Sequence, residues 1–444
     1  MEIFIICAIA LIFGAIAGLL PGISINTVLI IFYPVLMHYD YITVFYIYLT
    51  LIVSIQYYGG ISTIVFGIIG EVTEQPTVES GNKLFKQGYG NDILPAIASH
   101  SLVSSVLSLT ILWLLLGNAE TLFTFLSSTV KIILLVSALV MLLISGNSNK
   151  PLTLILIACG LFFGIIGSTI LPDATKIVSN TILSQGLPFI PLLTGLIVIP
   201  ALFEGITLPI TATPTIMQMT VKDRLSKLLK ITHLKSTVRG AIIGSITGMI
   251  PGVSYMISST VAATVEKIIH ANSSSANALT KNVLAAEAAT KAGSIIVLVP
   301  LLFFWIPIVS SEAILLSIFD FQNLTYADWT NFLTHNVFYI ITFILTLDLI
   351  NWLISGYFYS YIVSAFHYLK LYGYYFLLLL VVGNIIYDGI LDSSLSLNIY
   401  TMLVALVAGF YLKNNTHKMA FLFSFFISPR LLPEIYRWYL IHIV

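Results

Sequence analysis

Charge is what this sequence has least of. Of 444 residues, 9% are Asp, Glu, Lys or Arg, against 58% hydrophobic. A soluble domain carries roughly a quarter charged residues, so this chain cannot build a water-facing shell and belongs in lipid. Its 19 basic and 19 acidic side chains cancel, which argues against a nucleic-acid partner. Cysteine is nearly missing. Cys7 and Cys159 lie in apolar runs and read as packing residues rather than a disulfide. The eight histidines show no metal spacing, and no phosphate loop, nucleophile elbow or zinc signature occurs. An enzyme reading has no constellation to stand on. The start, Met1-Glu2, has no basic n-region, and the apolar run behind it is too long for a signal h-region. A retained first span is expected there.

What the chain has instead is long apolar stretches: 3–37, 41–70, 93–117, 121–145, 151–171, 187–217, 236–269, 283–318, 332–366, 372–390, 397–412 and 418–443. A membrane helix needs about 20 such residues. The expected fold is an all-α polytopic membrane protein of about 10–12 spans, arranged as two pseudo-symmetric, inverted repeats with Pro-Gly-interrupted helices. The first repeat covers 1–217 and the second 236–444. Between them, 218–235 holds Lys222, Arg224, Lys227, Lys230 and Lys235 against the single acid Asp223. The positive-inside rule places this loop in the cytoplasm and the chain in the cell membrane.

The repeats are marked by a shared motif, G-x-x-x-G-x-x-P-G-x-S. It runs from Gly14 through Gly18, Pro21, Gly22 and Ile23 to Ser24, and again from Gly244 through Gly248, Pro251, Gly252 and Val253 to Ser254, 230 residues later. Proline removes a backbone donor and clashes with the preceding turn; glycine lets the chain leave helical angles. In mid-membrane such a break is tolerated where it is buried or lines a wet cavity. A half-helix starting after it aims N–H groups and a positive dipole end at an anion. Paired breaks of this kind form substrate sites in transporters; a packing kink is the plainer alternative. The Gly14/Gly18 and Gly244/Gly248 pairs also read as small-xxx-small faces for close helix approach. Oxygen donors at Asn26, Thr27 and Ser258 suit a sodium ion.

Polar residues gather after each motif. Gln56-Tyr57-Tyr58-Gly59-Gly60 follows the first, and Glu287 to Gly293 the second. Glu287 and Lys291 are four apart and share a helix face. An ionisable pair in apolar surroundings is a functional candidate; a structural pair, with Lys291 snorkelling to the interface, is the other reading. Glu204, Asp348, Asp388 and Asp392 read as interface residues.

In this order the motifs resemble the large membrane subunit of the tripartite tricarboxylate transporters. The resemblance takes in the duplicated Pro-Gly motif, Tyr58-Gly59-Gly60, Gly70-Glu71, Thr77 to Gly81, Lys86-Gln87-Gly88 and Gly186 to Pro191 with Glu204. It continues through Ala285 to Ala288, Val299 to Leu302, Trp305 to Pro307, Gly409 to Lys413, Pro429 and Glu434. The chain departs at Thr290-Lys291, where the family has paired asparagines, and at Ile69 and Ile308. The resemblance implies a secondary transporter for organic anions such as di- or tricarboxylates. It would work by alternating access on a sodium or proton gradient, with no organic cofactor. A periplasmic binding protein and a small membrane subunit are the implied partners. The substrate-lining set is then Pro21, Gly22, Ile23, Ser24, Tyr58, Gly59, Gly60, Pro251, Gly252, Val253, Ser254, Glu287, Thr290, Lys291 and Gly293. A non-transporting scaffold that keeps the fold, or a channel, are the rival readings.

Overall fold

The computed structural model describes residues 2–20, 23–67, 75–117, 128–144, 149–166, 186–207, 222, 225, 231–249, 254–270, 275–305, 307, 309–391, 394–412 and 415–442. Among them there is no strand. This follows from the solvent, because a helix satisfies all its backbone groups within one segment while an open sheet edge cannot.

The helices are α1 (Glu2–Leu19), α2 (Ile25–Leu36), α3 (Tyr41–Phe66), α4 (Gly90–Leu116), α5 (Ser128–Ile144), α6 (Lys150–Ile165), α7 (Phe189–Leu193), α8 (Ile199–Thr207), α9 (Ile231–Gly248), α10 (Ser254–Ile269), α11 (Ala276–Ile296), α12 (Leu298–Phe304), α13 (Ser310–Phe321), α14 (Tyr326–Leu391), α15 (Leu395–Tyr411) and α16 (Asn415–His442). Wider π-turns at Val78–Asn82 and Phe85–Tyr89 lead into α4, and another at Thr194–Val198 joins α7 to α8. Among the described residues, six stretches are long and apolar enough to cross a membrane: Glu2–Leu19, Tyr41–Phe66, Val78–Leu116, Phe189–Thr207, Ala276–Phe303 and Tyr326–Ser355. Ile25–Leu36, Lys150–Ile165, Tyr372–Tyr387 and Leu395–Tyr411 are shorter apolar helices. The protein is a helical, multi-pass membrane protein.

Burial identifies the centre. The apolar windows of α3 and of α11 with α12 are 89% and 94% buried, whereas that of Tyr326–Ser355 is 33% buried and turns most of its surface outward. The ends of these helices are specified locally. Asp40 caps α3, accepting from the Thr43 N–H at 3.1 Å and from Thr43 Oγ1 at 2.6 Å. The helix stops at Gly67, whose φ of 68° suits glycine. Ser275 caps α11 through the Ala278 N–H. The end of α12 turns at Trp305 with φ 56°. Two neighbouring side chains take up its late carbonyls: Trp329 Nε1 donates to Leu302 O at 3.2 Å and Tyr326 OH to Phe303 O at 2.7 Å.

Small residues fix the helix pairs at the centre. A Cβ on Gly14 would stand 2.8 Å from Ser54 Cβ, and one on Gly18 2.5 Å from Ile55 O, so α1 lies against α3. A Cβ on Gly240 would collide with Ala285 O, one on Gly244 with Ala289 O, and one on Gly248 would stand 2.9 Å from the Gly293 Cα. Helix α9 therefore meets α11 backbone to backbone. At the end of α9 nearest the basic loop, buried Glu266 holds Arg239 at 2.5 Å, Ser236 at 3.1 Å and His270 at 3.2 Å, which ties α9 to α10. The cysteines are unpaired.

Helices stop and restart around both motif copies, α1 ending at Leu19 with α2 beginning at Ile25, and α9 ending at Gly248 with α10 beginning at Ser254. The expectations at Pro21, Gly22, Pro251, Gly252 and Val253 fall outside the described residues.

Candidate functional site

The polar centre of the molecule lies where α3, α4, α11 and α14 meet the turn at Thr77. Gln56, Tyr57 and Ile61 from α3, Ile97, Ala98 and Ser101 from α4, and Glu287 and Lys291 from α11 line one small pocket, a cavity of about 20 Å³ with room for roughly one water molecule. Burying so many polar groups in lipid-spanning helices is costly unless each is partnered, so the partners decide what the pocket can do.

Glu287 sits over Gly60, where a Cβ would stand 2.7 Å from Glu287 Oε2. Its Oε1 accepts from Thr77 Oγ1 at 2.6 Å. Ser294, two turns on from Glu287, donates to Gln56 Oε1. Tyr57 OH meets Ser355 Oγ on α14 at 2.8 Å. Ser104 Oγ reaches Ala288 O at 2.7 Å, and Ser80 Oγ reaches Asn282 Oδ1 at 3.1 Å. The two segments that follow the motif copies thus face each other across this site.

Lys291 is 3% exposed and Asp348, on α14, is 1% exposed. Lys291 Nζ lies 2.6 Å from Asp348 Oδ1. Asp348 Oδ2 accepts from Ser105 Oγ at 2.6 Å. The ion contact engages one of the three ammonium N–H donors and leaves the others without a partner among the described residues. Gln56 Nε2 is a buried donor without a hydrogen-bond partner among the described residues. Lys291 and Gln56 both line the pocket. An ammonium and an amide N–H group with donor capacity to spare are what an anion, above all a carboxylate, requires.

Two sequence expectations change here. Lys291 does not snorkel to an interface; it is enclosed and reaches Asp348. Asp348 is not an interface acid but the buried partner of that lysine. The physical reason is that an acid in the middle of the run 332–366 is tolerated only when compensated, and α11 supplies the cation.

Other expected site residues are placed as follows. Tyr58 is 1% exposed and, with Gly59, packs against Gly18. Thr290 Oγ1 bonds back to Ala286 O at 3.1 Å. Gly293 meets Gly248, so packing accounts for it. Ile23 is buried and Ser24 half-buried just before α2. The backbone of Ser254 opens α10. Ser258 Oγ lies 2.5 Å from Thr247 Oγ1. Asn26 Oδ1 and Thr27 Oγ1 are buried without a hydrogen-bond partner among the described residues. No group of three or more His, Cys, Asp or Glu able to hold a metal occurs among the described residues.

Gln56, Thr77, Ser101, Ser105, Ser294 and Asp348 belong to the site although the sequence reading left them out of it. For Asp348 a signal was there: an acid deep inside an apolar run.

The family model described as the tripartite tricarboxylate transporter TctA family matches residues 4–423. Comparison with curated proteins and with solved structures finds no match.

Proposed function

Because the chain belongs to the tripartite tricarboxylate transporter TctA family, a family of transporter permeases, we propose that it carries small organic anions, such as di- or tricarboxylates, across the cell membrane. The observation that carries this reading is the pocket between α3, α4 and α11, where Lys291, paired with Asp348 through one of its three N–H donors, stands beside Gln56 Nε2, which lacks a hydrogen-bond partner among the described residues. These donors hold the substrate carboxylate. The sequence motif shared by Pro21-Gly22 and Pro251-Gly252 is of the kind that supplies backbone donors to a substrate.

The two halves, 1–217 and 236–444, form pseudo-symmetric repeats. The like-placed packing of Gly14 and Gly18 on α3, and of Gly244 and Gly248 on α11, supports that reading. Alternating access comes from movement of one half against the other. The basic loop 218–235 faces the cytoplasm. A sodium or proton gradient drives transport, and the unpartnered oxygens of Asn26 and Thr27 are the donor type that sodium takes. A periplasmic binding protein delivers substrate and a small membrane subunit completes the complex, as the tripartite family description suggests.

Uptake by proteoliposomes of the purified protein, alone and with candidate partner subunits, across a panel of mono-, di- and tricarboxylates tests this. Gradient-dependent accumulation of at least one is expected, and its abolition by Lys291→Met. Folded protein that accumulates none of them overturns the reading.

A further inference from the structure

Resting on the organic-anion reading, we propose that Lys291 and Asp348 are an exchangeable pair: a substrate carboxylate displaces Asp348 from the Lys291 ammonium, and Asp348 takes up a proton from the aqueous side, so that a proton travels with each anion.

The geometry has the parts this exchange needs. Lys291 belongs both to the pocket and to the ion pair. Asp348 does not line the pocket, so the lysine is the one link between an incoming anion and the acid. The contact to Asp348 at 2.6 Å takes one of the three ammonium N–H donors, so others remain for a second carboxylate. The pair is also closed to solvent, its side chains 4% and 2% exposed.

Charge balance supplies the coupling. The pocket region holds one ammonium and two carboxyl groups, Lys291, Asp348 and Glu287. An anion that adds its charge there, with Asp348 left ionised and without its cation, leaves an uncompensated buried charge, the costly state for such a group. Protonation removes it. The exchange balances: the Lys291 ammonium and Asp348 carboxylate, plus a substrate carboxylate and a proton, become an ammonium–substrate pair and a neutral Asp348. The new O–H has an acceptor in place, because Ser105 Oγ lies 2.6 Å from Asp348 Oδ2 and a hydroxyl both donates and accepts. Release of the anion reverses the exchange.

Among the described residues, titratable groups stand on each helix packed against the pair; on α9 and at the end of α10, Arg239 and His270 are held by Glu266, and His233 Nε2 meets Asn277 Oδ1. On α11, Glu287 stands one turn from Lys291 and is held by Thr77. On α3, Tyr57 is engaged by Ser355. On α4, His100 Nδ1 meets Thr237 Oγ1 at 2.8 Å. On α8, Glu204 is exposed.

The test uses the purified full chain in detergent with sodium-free, weakly buffered medium and a pH-indicator dye, with citrate, succinate and acetate as probes and binding followed by calorimetry. Binding accompanied by uptake of a proton for each anion is expected, and Asp348→Asn is expected to keep binding while losing the proton signal. Binding without proton uptake, or uptake that survives Asp348→Asn, overturns the exchange while leaving the carboxylate site standing. If no probe binds, the organic-anion reading fails separately, and infrared spectroscopy of Lys291→Met still tests the pair. A carboxylic-acid C=O band near neutral pH that disappears in the Lys291→Met, Asp348→Asn double variant is expected. An ionised Asp348 in Lys291→Met overturns the proposal.

Discussion

The carboxylate of Glu287 occupies the space that a side chain at Gly60 would need, with Oε2 2.7 Å from where that Cβ would stand. Its other oxygen accepts from Thr77 at 2.6 Å. A residue from the first half is therefore small because a residue from the second half is charged. The site is defined by that fit between two segments more than two hundred residues apart.

Gly60→Ala separates positioning from packing. The atom it meets is the end of a flexible side chain, so Glu287 yields by rotating and the fold survives. The thermal midpoint in detergent is expected to stay close to that of the parent. Transport is expected to fall sharply, because Glu287 leaves Thr77. A midpoint that collapses together with uptake would instead assign Gly60 to packing.

Thr77→Val removes the hydroxyl donor to the half-buried Glu287 carboxylate. A loss of about 1–3 kcal/mol is expected, read by denaturation in mixed micelles. Thr77→Ser keeps the donor and is expected to keep most of the stability. Equal losses in both variants would show that the methyl group matters, not the hydrogen bond.

Asp348→Ala leaves Lys291 buried without its counter-charge. Breaking such a pair costs about 3–5 kcal/mol. Replacing both members, Lys291→Met with Asp348→Leu, is expected to recover most of that loss, since matched apolar groups need no compensation. The double-mutant cycle gives the coupling directly, and independent, additive losses would contradict the pairing.

Gly244→Val drives a side chain into the Ala289 carbonyl oxygen. Backbone cannot rotate away as a side chain does, so a loss of about 1–3 kcal/mol or more is expected. Gly383, exposed on α14 with nothing within 4 Å of its Cβ position, is the control. Gly383→Ala is expected to stabilise by about 0.5–1 kcal/mol, through helix propensity alone.

The helical membrane fold was legible because lipid removes the alternatives. A chain with 9% charged residues and long apolar runs has only helices or a closed barrel open to it, and the runs are too long for barrel strands. Glu287 and Lys291 were legible as site candidates because ionisable residues stand out against apolar neighbours. Their partners were not. Periodicity puts Glu287 and Lys291 on one face and suggests that they pair with each other, whereas Thr77 and Asp348 approach from other helices at separations no local pattern encodes. Asp348 was misplaced at an interface because hydropathy locates a run but not the depth of one residue within the packed bundle. Gln56 and Ser294 are uncharged and carried no comparable signal.

The row of Gly240, Gly244 and Gly248 against α11 has a mechanical consequence. Backbone resting on backbone leaves no layer of side chains to shear, so α9 and α11 behave as a welded pair that travels as a unit. On the opposite flank, α11 touches its neighbours through hydroxyls, an amide and a carboxylate: Ser104 to Ala288 O, Gln56 with Ser294, Thr77 with Glu287, Ser80 with Asn282. Each of these bonds can be traded for one to water at little net loss. The molecule therefore carries a dry weld on one side of α11 and a wettable seam on the other, and under the proposed alternating access the seam is where the halves are expected to part.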